Sequence, residues 1–212
     1  MAKLLIFDLD GTLIDSRRDL VAAVNYMRQS MELEPLDGER VVKMIGNGVN
    51  SLVQRAVADA DVDFDTALKR MKRFYAENLV ASTVLYPGVS AGLKILKEQG
   101  LKLAVVTNKP VGSAVKILEA LGVAGYFTDI IGGDSDYPLK PAPDALCALQ
   151  KKYDLSKSDC WMIGDHYTDL EAGRLAGFRR ILVTYGFGNA QDETPDYTAD
   201  SFSEIADIIR GL

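Results

Sequence analysis

The chain has 212 residues, 48% of them hydrophobic and 25% charged, and carries a net charge of −6. That balance is the usage of an ordinary globular protein long enough to bury a real core. It excludes a disordered chain and a general nucleic-acid binder, which needs a basic face. The two cysteines, Cys147 and Cys160, have neither metal-type spacing nor the density of a disulfide scaffold, so both are expected to be reduced apolar residues.

The first apolar run, Lys3 to Phe7, reads as a strand. It is too short for a signal peptide, and no run elsewhere approaches the ~20 apolar residues needed to cross a bilayer. A cytoplasmic location without a membrane partner is therefore expected. Directly after this strand comes Asp8-Leu9-Asp10-Gly11-Thr12. Two carboxylates one residue apart at the end of a buried strand repel each other and resist ionisation unless a cation compensates them. Mg²⁺ suits such hard oxygen ligands, because it keeps several waters and often shares its shell with a substrate phosphate. The plainer alternative is an acidic turn built on Asp10-Gly11.

From Ser16 to Thr83 the pattern is helical, with no convincing strand before the helix that starts near Val89. Val49, Leu52, Val53, Ala56 and Val57 share one helical face, and Leu68, Met71, Phe74, Tyr75 and Leu79 mark another; both are expected to be packing faces. The segment reads as an insertion, which predicts a helical cap over residues 16–83 and an α/β core from residues 1–15 and 84–212. Ten basic and ten acidic residues fall within 16–83, so the whole acidic excess belongs to the core. Gly46-Asn47-Gly48 stands at the start of the helix near Val49, where glycine lets the backbone approach a ligand and offers it free N–H donors. An ordinary linking turn is the alternative.

Tyr86-Pro87-Gly88 returns the chain to alternating elements: a helix over Val89 to Gln99, a strand over Lys102 to Val106, a helix over Val111 to Leu121 and a strand over Thr128 to Ile131. A helix over Pro143 to Tyr153, a strand over Cys160 to Ile163, a helix over Asp169 to Ala176 and a strand over Arg180 to Val183 follow. Near-continuous apolar strands alternating with helices predict an α/β fold, a doubly wound, mainly parallel Rossmann-like sheet. Ligands of such sheets bind at strand ends. Two more such ends carry polar residues, Thr107-Asn108 beside Lys109-Pro110 and Asp165 with Asp169, and Lys140 adds a cation in a stiff, proline-framed turn. Taken singly, Lys140 can be a surface lysine, and Asp169 an acid favoured at a helix N-terminus.

These four elements, in this order and along essentially the whole chain, resemble the haloacid dehalogenase superfamily of phosphohydrolases. The resemblance implies Asp8 as nucleophile and Asp10 as general acid and base. It implies Thr107 and Lys140 as ligands of the transferring phosphoryl group, with Asn108 beside them. An Mg²⁺ shell from Asp8, Asp10 and Asp165, supported by Asp169, also follows from it. His166 departs from the small Ser or Thr common at its place and is expected to be structural.

Asp10 favours phosphoryl transfer over dehalogenation, because a halide leaving group needs no acid. Within the superfamily the chain looks like the phosphoglycolate phosphatase group, on the strength of Asp8 to Ser16, Met44 to Gly48, Val105 to Pro110 and Val183 to Gly188. A small carboxylated phosphate ester would then meet Gly46, Asn47 and Arg55 in the cap. The alternatives are a pyrophosphatase or a sugar or nucleotide phosphatase with the same cap, a phosphosugar mutase, and a non-catalytic phosphate-binding regulator. The mutase is disfavoured because the cap holds no histidine.

Overall fold

The computed structural model describes residues 3–211. Strand β1 (Leu4–Phe7) lies at the centre of a six-stranded, all-parallel sheet. On one side it pairs with β4 (Lys102–Val106), which pairs with β5 (Asp129–Ile131). On the other it pairs with β6 (Cys160–Gly164), followed by β7 (Arg179–Val183) and the edge strand β8 (Tyr197–Ala199). A separate two-stranded ribbon pairs β2 (Ile14–Asp15) with β3 (Val84–Leu85) in antiparallel register.

The sheet is covered on both faces, which is why its strands are nearly continuous apolar runs. Side chains alternate across β1. Leu5 and Phe7 join a core with α5 (Val89–Glu98), α6 (Val111–Ala120) and α9 (Phe202–Arg210), whereas Leu4 and Ile6 pack with α7 (Asp144–Lys152) and α8 (Tyr167–Ala176). Both cysteines are free. Among the described residues no helix is long and apolar enough to cross a membrane.

Between β2 and β3 run α1 (Arg17–Ser30), α2 (Gly38–Val42), α3 (Gly48–Ala56) and α4 (Phe64–Glu77). The ribbon corrects the expectation that no strand precedes Val89: two residues per strand are too few for alternation to show in sequence. It brings the exit from the sheet beside the return. Asp19 of α1 clasps that crossing, for its buried carboxylate accepts from the N–H groups of Ser82 and Thr83 and from Thr83 Oγ1, at 2.7 to 3.0 Å. Asp19→Ala strands these donors, so a loss of roughly 3 kcal/mol is expected. In a chain of this size that corresponds to a fall in melting temperature of roughly 6–12 °C. A thermal unfolding curve that coincides with wild type would show that the clasp adds nothing to stability.

β8 and α9 extend the fold beyond the expected elements. α9 buries Phe202, Ile205, Ala206 and Ile209, a helical i, i+3, i+4, i+7 spacing that was present in the sequence. β8 is three residues at an edge, too short to announce itself.

Candidate active site

Parallel pairing in register sets Phe7 beside Val105 and Ile163, so the next residues on these strands emerge together at one sheet edge. The chain order reverses direction at β1, and this is the crevice where open α/β sheets hold ligands. Asp8, Thr107 and Asp165 all stand at this edge.

Lys140 is the hub. Its buried ammonium donates to Asp8 Oδ1 at 2.8 Å, Asp169 Oδ1 at 2.7 Å and the Val106 carbonyl at 2.6 Å, which uses all three of its donors. Burial works against its charge, but Asp169 and Asp8 more than offset that, and its pKa is raised. The loop carrying it is tied by Asn108, whose side chain accepts from Lys140 N at 2.9 Å while its amide donates to the Lys140 carbonyl at 3.0 Å.

Asp8 faces the cavity, and burial pushes its carboxyl up to about 6 despite Lys140, with Asp169 adding to the rise. Asp165 is raised well above the usual carboxylate range by burial first, then by Asp169 and Asp8. Its Oδ1 accepts from Thr12 Oγ1, and its Oδ2 from the N–H groups of Phe187 and Gly188 at 3.1 and 2.7 Å. Gly11, at φ 89°, is required here, because a Cβ would fall 1.9 Å from Asp165 Oδ2.

Oxygens of Asp8, Asp165 and Asp169 lie within 4.8 Å of one another. Three buried carboxylates, two of them with pKa values raised by burial and by one another's charge, are the donor set that a hard divalent cation stabilises. The residues therefore fit a metal. The Asp10 carboxylate, also expected in the metal shell, is not one of these three: it is drawn to Lys109 Nζ at 2.7 and 2.8 Å and bonded by Ser16 Oγ, whereas Asp169, expected to support the shell, is among them. Lys109 is buried. Burial opposes its charge, but Asp10 and Tyr75 outweigh that and raise its pKa. Its pairing with Asp10 was not foreseen, although it follows Thr107 and Asn108 directly.

His166 serves as a helix cap. It caps α8 by accepting from Thr168 N, while Asp169 Oδ2 accepts from His166 N at 3.1 Å, a reciprocal capping box. Burial holds its imidazole down to about 4, so it is neutral near pH 7. Gly46 (φ 117°) lies against this ring: a Cβ there would come within 2.8 Å of it.

The remaining expected residues separate. Thr107, Asn108 and Gly46 line a cavity of about 400 Å³ with Asp8 and Asp10, and α1, α3 and α4 form its other wall. Asn108 is occupied as a strap, because its amide also donates to the Gly46 carbonyl at 3.0 Å. Asn47 and Arg55 are not on the cavity wall; Asn47 donates to Tyr167 Oη at 2.8 Å and Arg55 to the Met44 carbonyl at 3.0 Å. Asn47 thereby ties the turn before α3 to α8, and one nitrogen of Arg55 holds the same turn. Conversely, Val49, Leu52, Met71 and Tyr75, expected only to pack, also line the cavity.

The haloacid dehalogenase-like hydrolase family model matches residues 5–183, and the chain belongs to that family. Phosphoglycolate phosphatase of Chromobacterium violaceum is 37% identical over 98% of this chain and 96% of its own length. Phosphoglycolate phosphatase of Vibrio parahaemolyticus is 36% identical over the same shares. The crystal structure of a predicted phosphoglycolate phosphatase from Haemophilus somnus superposes with a TM-score of 0.94 at 35% identity, covering 98% of this chain and 97% of that one.

Proposed function

We propose that the chain is a Mg²⁺-dependent phosphomonoester hydrolase that passes through an aspartyl-phosphate on Asp8, with 2-phosphoglycolate as its substrate. The observation that carries this is the Asp8 carboxylate, turned into the cavity with Lys140 on Oδ1 and two further carboxylates behind it. Whole-length likeness to phosphoglycolate phosphatases supports the substrate. Residues 16–83 act as a cap, resting on the core through the turn before α3.

When bound by Asp8, Asp165 and Asp169, Mg²⁺ would neutralise charge around the transferring phosphoryl group. Asp8 attacks phosphorus as its bond to the ester oxygen breaks, and Asp10 gives that oxygen a proton. Asp10 then takes a proton from water, whose oxygen attacks the acyl phosphate, releasing inorganic phosphate and restoring Asp8. Lys140 holds Asp8 and lends its positive charge to the phosphoryl group, Thr107 donates to its oxygens, and Lys109 with Ser16 fixes Asp10 within reach.

The test is phosphate release from 2-phosphoglycolate, pyrophosphate, sugar phosphates and nucleoside monophosphates, compared by kcat/KM. 2-Phosphoglycolate is expected to lead, and removing the metal with EDTA is expected to lower its turnover by at least about 100-fold, with recovery on adding Mg²⁺. Preference for another ester would overturn the substrate assignment, and turnover indifferent to EDTA the metal.

A further inference from the structure

The cavity wall formed by the helices is mostly apolar, with Leu20, Ile45, Val49 and Leu52. Into it α4 turns two polar residues, Lys72 and Tyr75, which share one helical face by their spacing. The neighbouring Arg70 and Arg73 are engaged with Ser30 and Glu77, whereas Lys72 has no such partner among the described residues. The other ammonium on the wall, Lys109, is occupied by Asp10. Lys72 is thus the cation still available to a ligand.

Tyr75 gives an independent sign. It is 8% exposed, its ring lies 4.8 Å from Lys109 Nζ, and its buried Oη feels that ammonium but has no partner in hydrogen-bond geometry. Burial raises its pKa, so it stays a neutral donor. A buried, unpaired hydroxyl on a cavity wall costs stability until a ligand satisfies it. The N-terminus of α3 reaches the same cavity through Gly48 and Val49, and Asn47 places no side-chain cap on it. Its backbone N–H groups are therefore free to meet an anion.

We propose that Lys72 and Tyr75 are specificity-determining residues that, with the uncapped N-terminus of α3, receive a second anionic group, a carboxylate on the leaving group of the phosphate ester. The inference rests on the phosphatase reading above. Lys72 is exposed, so it draws the carboxylate from the rim of the cavity. The apolar wall selects against leaving groups clothed in hydroxyls, which would lose water there without gaining partners.

The experiment compares 2-phosphoglycolate with ethyl phosphate, which has the same skeleton without the carboxylate, on the Mg²⁺-loaded full chain. Wild type is expected to prefer 2-phosphoglycolate in kcat/KM. Lys72→Ala is expected to lower the ratio between the two substrates about tenfold, chiefly through the KM for 2-phosphoglycolate. Lys72→Arg should restore most of that ratio, and Tyr75→Phe should lower it about threefold. A wild type that hydrolyses both esters without preference, or a Lys72→Ala ratio equal to wild type, would overturn the proposal and leave the phosphatase reading standing. Failure to hydrolyse either ester, or p-nitrophenyl phosphate, would overturn both.

Discussion

Asp8→Asn is expected to lower kcat/KM by roughly 10⁴-fold or more on every phosphate ester, because an amide cannot form the aspartyl-phosphate proposed for turnover. The fold should tolerate the change: Lys140 keeps its bonds to Asp169 and to the Val106 carbonyl. Stability should even shift in its favour near pH 7. Because burial raises the Asp8 pKa from 3.8 to about 6, its contribution to stability is full below about 3.8 and lost as pH rises through about 6. Without metal, Asp8→Asn should therefore lose less stability than wild type between those limits. Turnover within tenfold of wild type would remove Asp8 from the mechanism, and unchanged pH dependence of unfolding would remove the burial argument.

Asp10→Asn is the second large effect, and it divides the two half-reactions. General acid-base help is worth ~10²–10⁴ in rate, so hydrolysis of an alkyl phosphate should fall by that factor. p-Nitrophenolate needs no proton to leave, so with p-nitrophenyl phosphate the variant should still phosphorylate Asp8 quickly and then stall when water must be deprotonated. The expected signature is a burst of p-nitrophenol equal to the enzyme concentration, with a chain one phosphoryl group heavier by mass spectrometry. Steady turnover without a burst, at the wild-type rate, would show that Asp10 takes no part in hydrolysing the intermediate. Loss of Asp10 also leaves Lys109 buried without its carboxylate, so thermal unfolding of the variant should accompany the kinetics.

Much of the fold was legible because strands buried on both faces leave continuous apolar runs and the helices between them end at glycine. β1, β4 and β6 were placed to within a residue on that signal. The ribbon of β2 and β3 and the edge strand β8 were not, since two or three residues carry no period. The cap pattern was readable as helices, yet which face of α3 and α4 meets the core and which closes the cavity depends on how the helices cross. Met71 and Tyr75 accordingly serve both purposes.

By itself, the sequence determined the α/β class and marked Asp8, Thr107, Lys140, Asp165 and Asp169 as candidates, because local pattern places each of them near the end of an element or in a stiff turn. Tertiary structure alone decided their partners: that Lys109 takes Asp10 out of the carboxylate cluster, that Asn108 is a strap, and that Lys72 faces the cavity while Arg55 does not. Distances between side chains tens of positions apart, 99 for Asp10 and Lys109, are set by strand order and helix packing. A charged group settles on whichever opposite charge that packing brings near, and no local spacing records this.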